Sequence, residues 1–184
     1  MRGLTLYAFS AVLMAVQGAS RMPPTAAVDV KAADISAVIK QAPADGVMDQ
    51  QIRVVDIGKY NVAVGVLHRA AKSRQTSISH AQVTEIYYII EGSGTFVTGG
   101  TLVQPTPAPA DGTVVKTLVG PSTNGTAIAN GQSRKIGPGD VVIVPPGVAH
   151  WFSAMESDMN YLVVRVDGDH VLPAGYINPA VAPK

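Results

Sequence analysis

Between Lys31 and Gln41 the apolar residues Ile35, Val38 and Ile39 recur at three- and four-residue spacing, and from Gln51 onward the period falls to two. The first spacing predicts a short helix stopped by Pro43, and the second predicts strands. Ile52 to Ile57 and Asn61 to Arg69, parted by Gly58-Lys59, read as a hairpin whose second strand carries Val62, Val64, Val66 and His68 on one face. A polar loop, Lys72 to Ser79, leads to a strand at Thr84 to Ile90. Another follows at Thr95 to Val103, bent at Gly99-Gly100. Thr113 to Leu118 reads as a strand, and Asn130-Gly131 as a two-residue hairpin turn between short runs. Val141 to Val144, His150 to Ala154 and Tyr161 to Val166 complete the series. About nine or ten short strands, with turns every 8 to 12 residues, describe a sandwich or barrel. Gln104 to Gly112 carries three prolines and is expected to be an exposed loop, a lid or an edge.

Composition supports one β-rich domain: 184 residues, with 18 glycines and 13 prolines to serve many turns. A net charge of +1 provides no field for nucleic acid or an acidic membrane surface. With no cysteine, disulfides and thiolate ligands are excluded, so a metal would have to be held by histidine and carboxylate. The N-terminus carries Arg2, the nearly apolar run Leu4 to Val16, and the small residues Gly18-Ala19-Ser20. That order predicts a signal peptide over 1–20 and a secreted or periplasmic protein with no membrane span once it is removed. Residues 21–50 then form a linker, with Pro23 and Pro24, and the short helix. Residues 51–184 form the barrel.

Two of the four histidines lie beside turn-then-strand patterns that aim them at a common interior. The stretch from His80 through Glu85 to Gly92 resembles the first motif of the cupin superfamily, G-x5-H-x-H-x(3,4)-E-x6-G. The stretch Gly139, Pro145, Gly147, His150 resembles its second motif, G-x5-P-x-G-x2-H-x3-N. The resemblance implies an all-β fold, a cupin-type double-stranded β-helix (jelly-roll barrel) with the short N-terminal helix outside it. It implies a metal site at His80, Glu85 and His150. Three positions depart from the pattern: Ile78 stands where the family has its first histidine, Lys72 where it has a glycine, and Ala154 where it has the closing asparagine. Two imidazoles and a carboxylate still form a donor set suited to Fe(II), Mn(II) or Zn(II), with open positions for water or substrate.

Strand alternation adds neighbours. If Glu85 points inward so does Tyr87, and if His150 points inward so does Phe152. Tyr161, Val163 and Arg165 share a face, and Arg165 is a candidate either for a substrate carboxylate or for an ion pair with Asp167 or Glu156. Tyr87 and Gln82 are candidates for assisting proton transfer. His68 is a candidate replacement ligand or pocket residue. Trp151 reads as a core or interface aromatic and His170 as a surface residue. Asn124-Gly125-Thr126 fits a glycosylation acceptor, and Arg69, Lys72 and Arg74 read as a solvated loop.

Two functions remain open. One is a metal-dependent enzyme on a small organic molecule, of dioxygenase, isomerase, lyase or decarboxylase type as the resemblance implies. The other is a non-catalytic small-ligand-binding barrel with a degenerate or empty metal site. Beside them stands a structural reading, the barrel as an oligomerisation module that the resemblance implies would pair through sheet edges; a homodimer alone would exclude neither of the other two.

Overall fold

The computed structural model describes residues 24–182, so the expected signal segment lies outside the described residues. Helix α1 (Ala32–Ile39) forms where the helical spacing places it, and the Asp34 carboxylate accepts the Lys31 N–H at 3.0 Å at its start. Its apolar side, Ile35, Val38 and Ile39, packs on Met48, Ile52, Val66 and Leu162.

The strands follow in order: β1 (Val47–Asp56), β2 (Asn61–Arg69), β3 (Ser77–His80), β4 (Val83–Glu91), β5 (Gly94–Thr98), β6 (Thr101–Val103) and β7 (Thr106–Pro107). After a short π-helical segment, Val114–Val119, come β8 (Ser122–Gly125), β9 (Ala127–Ala129), β10 (Gln132–Ile136), β11 (Val141–Val144), β12 (His150–Met155) and β13 (Met159–Asp167). One sheet runs β1-β2-β13-β4-β11, a second β10-β5-β12-β3-β8-β7, and β6 pairs with β9 alone. All of these pairings are antiparallel.

From β10 to β13 the chain changes sheet at each step, which makes the two sheets the walls of a jelly-roll barrel. Their inner faces supply one core. Leu67, Tyr87, Tyr161 and Val163 come from the first sheet, and Phe96, Phe152 and Ile136 from the second. The expected all-β double-stranded β-helix with a short helix outside it is therefore the fold found.

Several local expectations are corrected. Thr113 to Leu118 is not a strand: most of it lies in a short π-helical segment, Val114–Val119, which docks beside the edge strand β1 without joining its ladder. The segment's carbonyls go elsewhere: Gln51 Nε2 donates to Leu118 O at 3.2 Å and Thr117 O at 3.4 Å, and Thr117 Oγ1 donates to Thr113 O at 2.6 Å. Asn130-Gly131 is not a hairpin turn, since β9 pairs with β6 while β10 pairs with β5. Asn130, at φ 59°, carries the chain from one sheet to another. The bend expected at Gly99-Gly100 is a full break between β5 and β6, with both glycines at positive φ. The polar loop before Glu85 ends in a strand, β3, whereas the proline-rich loop forms an edge, one of the roles expected of it, through the short strand β7. The first strand begins at Val47, ahead of the switch read at Gln51.

Candidate metal centre

The three residues named from the half-motifs come from both walls. His80 ends β3, His150 opens β12, and Glu85 lies on β4 in the other sheet. The corner Pro145-Pro146-Gly147 joins the halves: Gly147, at φ 78°, donates its N–H to the His80 carbonyl at 2.7 Å. Consequently His80 Nε2 lies 3.4 Å and His150 Nε2 3.5 Å from Glu85 Oε2. All three side chains are buried.

Hydrogen bonds on the far side of each ring decide which nitrogen is available. Ser122 Oγ donates its single proton to Gly120 O at 2.9 Å, so at 2.8 Å it accepts from His80 Nδ1–H. His150 Nδ1 lies 3.1 Å from the Val148 carbonyl, which can only accept. In the neutral rings both protons are therefore on Nδ1, and both Nε2 lone pairs face the Glu85 carboxylate. Burial first, then His80 nearby, lowers the His150 pKa to about 4, so that ring is neutral at ordinary pH.

Glu85 is held from behind. Arg165 Nε donates to Oε1 at 2.9 Å, and Tyr87 donates its hydroxyl to Oε2 at 2.6 Å. Burial pushes the Glu85 carboxyl up, but attraction to the charged form of the His80 ring and to Arg165 outweighs it and holds the group well below the usual carboxylate range. Burial and the adjacent Glu85 push the Tyr87 phenol well up, so it is a fixed neutral donor.

With the ring protons turned away, the two Nε2 atoms and Glu85 Oε2 converge as a group that could hold a cation. Donors about 2.1 Å from one ion at tetrahedral angles stand about 3.4 Å apart. The two Nε2–Oε2 separations match that spacing, and all three ligand atoms lie within 4.8 Å of one another. The site opens on a cavity of about 260 Å³, just below the usual size of ligand pockets, which limits it to a small ligand. Its apolar walls include Leu67, Ile78, Leu118 and Val119. Ala108 and Pro109 of the proline-rich loop border it as well.

The remaining candidates divide. Tyr87 lines the cavity, whereas Phe152 lies in the core and Arg165 lies behind Glu85. Arg165 is fully buried and pairs with Glu85 and Asp49, the latter at 2.6 Å, rather than with Asp167 or Glu156. His68 does not reach the trio. It faces outward with Val66, beneath the layer that α1 covers, and its Nδ1 lies 2.8 Å from Asn160 Oδ1. Gln82 is also off the cavity, with no hydrogen bond to the trio among the described residues, and its Oε1 has no partner. His170, expected at the surface, is half-buried, and its Nδ1 lies 3.3 Å from Asn61 Oδ1.

Sequence reasoning missed Asp49, Arg69 and Asn124 as cavity residues. Both faces of β2 are covered, by the barrel interior and by α1, so hydrophobicity alone did not mark the Leu67 and Arg69 side as the inner one. Lys72 and Arg74 are exposed while Arg69 is half-buried, which divides the basic cluster. Asn124 belongs to a strand and not to a loop, opposite Ile78.

Residues 76–175, more than half of the chain, match the family model described as cupin, and the chain belongs to the cupin family. No curated protein matches it in sequence. Among solved structures it is similar to a conserved protein with a double-stranded β-helix domain from Klebsiella pneumoniae, at 18% identity over 72% of this chain and 88% of that one, TM-score 0.42. It is similar to the EutQ protein of Clostridium difficile at 13% identity, over 69% and 72% of the two chains, TM-score 0.39. It is also similar to oxalate decarboxylase from Bacillus subtilis at 17% identity, TM-score 0.44, over 68% of this chain but 26% of that longer one.

Proposed function

We propose that this cupin barrel holds a divalent metal ion, Fe(II), Mn(II) or Zn(II), on His80, Glu85 and His150, and uses it to act on a small organic molecule in the cavity. The observation that carries the reading is the pair of Nε2 lone pairs aimed at one anchored carboxylate oxygen. Such an ion supplies Lewis-acid polarisation of a bound oxygen. The chain's own residues do the rest. Ser122 and the Val148 carbonyl hold the imidazole tautomers, Arg165 keeps Glu85 ionised, and the apolar walls limit water.

Ile78 lines the cavity opposite His150 on the paired strands, and we read it as the position where a fourth protein ligand is absent. A three-ligand set leaves more of the coordination sphere to water and substrate. The run Leu4 to Val16 supports export, which would place this chemistry outside the cytoplasm.

Elemental analysis of the purified full chain beside His150→Ala tests the metal reading. Near-stoichiometric metal in the wild type and its loss in the variant are expected. Absence of metal from wild-type protein supplied with each of the three ions, with no metal-dependent rise in melting temperature, would sink it.

A further inference from the structure

The cavity holds a second charged group that the metal site does not use. Arg69 ends β2 and lines the same cavity as the trio. Its guanidinium is fixed on two sides: Nε donates to Tyr161 Oη at 2.9 Å and Nη1 to Gln75 Oε1 at 2.8 Å. It also lies over the Phe152 ring, 5.1 Å from the centroid. Both oxygen partners are neutral, since burial pushes the Tyr161 phenol up to about 12. Among the described residues no carboxylate lies within ion-pair distance of Arg69, whose hydrogen bonds leave from Nε and Nη1 and not from Nη2.

The carboxylates nearby bond to a different guanidinium. Asp49 and Glu85, the two carboxylates on the cavity, share Arg165. Arg69 is thus a rigid, half-buried cation with no direct ion pair: the charge of Asp49, beyond bonding distance, balances it in the metal-free cavity, and an ion on the trio would leave a net positive excess. A guanidinium oriented by neutral groups, with one free N–H edge, is the group that recognises a carboxylate.

We infer that Arg69 is the carboxylate-recognition residue of the cavity, so that the ligand is a small organic acid whose carboxylate meets Arg69 Nη2 while its remainder lies between the apolar walls and the trio. The assignment rests on the proposed function for the role of the trio, but Arg69's part in it does not need the ion. The sequence suggests Arg165 for this task. The structure gives that residue to Glu85 and Asp49, and leaves Arg69 free.

The test compares butanoate, hexanoate and benzoate, each beside its neutral amide, by NMR titration into the full chain, metal-free and zinc-loaded. At least one acid is expected to bind on the order of tenfold more tightly than its amide in both preparations. Arg69→Gln should abolish that preference, and Arg69→Lys should retain part of it. Equal binding of every acid and amide by the wild type would overturn the inference, as would a preference that survives in Arg69→Gln. Should Arg69→Gln not fold, the wild-type comparison and Arg69→Lys still decide. An acid preference without zinc uptake would uphold the role of Arg69 and remove only the metal reading.

Discussion

Arg165 and Glu85 stand directly opposite each other on β13 and β4, and Arg165 Nε reaches Glu85 Oε1 at 2.9 Å with both side chains out of solvent. This pair fixes the carboxylate about which the two histidines are arranged. The same guanidinium bonds Asp49 through Nη2, tying β1 to the site across β2. Burial pulls the Arg165 pKa down, but Asp49 and Glu85 outweigh it and raise it overall.

Arg165→Met should therefore destabilise the fold by roughly 3–5 kcal/mol, because two buried or half-buried carboxylates lose their shared cation. Urea unfolding of the metal-free protein measures this. A loss below about 1 kcal/mol would contradict the anchoring role given to Arg165.

Ser122→Ala removes the acceptor that keeps the His80 proton on Nδ1. Metal affinity is expected to fall about 10- to 100-fold, with the ligand set itself intact. Competition with a chromophoric chelator gives the affinity, and an unchanged value would mean that Ser122 does not orient the ring.

Ile78→His places an imidazole on the cavity wall at the position across from His150. Tighter metal binding, by about tenfold or more, should accompany a lower stability of the metal-free form, since a polar ring replaces hydrocarbon there. If affinity stays the same, Ile78 does not occupy a ligand position.

The pH dependence of the metal-free protein follows from His150. Its pKa of about 4 in the fold lies below the ordinary 6.5, so the unfolded chain binds more protons between those values. Stability should fall as pH drops from about 6.5 towards 4 and level off below, by on the order of 3 kcal/mol from this group. Glu85, held well below 4.5, adds its own loss only beneath that value. Denaturation in a chelator-containing buffer should give a flatter profile between pH 6.5 and 4.5 for His150→Gln. An identical slope would contradict the burial of a neutral ring.

Periodicity and turn residues were sufficient for a β-rich sandwich or barrel and for helix α1, and the resemblance to the cupin half-motifs pointed to the jelly roll and to the trio. Each depends on local geometry: spacing of 3.6 or 2, and glycine and proline at corners that force the chain to turn. His80, Glu85 and His150 were legible because they stand at the spacing of the cupin half-motifs, whose glycines and proline mark such corners. Which face of β2 points inward was not legible, because the stripe containing Val66 and His68 is as well buried, under α1, as the stripe containing Leu67 and Arg69 is inside the barrel. Nor was the state of Val114–Val119, whose β-branched residues favour a strand but which is held as a helical turn whose carbonyls accept from the Gln51 side chain of β1. The division of labour between the two arginines belongs to the tertiary structure alone. Arg165 and Arg69 both sit in apolar strands of the sequence, and only strand register decides that one meets Glu85 and Asp49 while the other meets neutral groups and the open cavity.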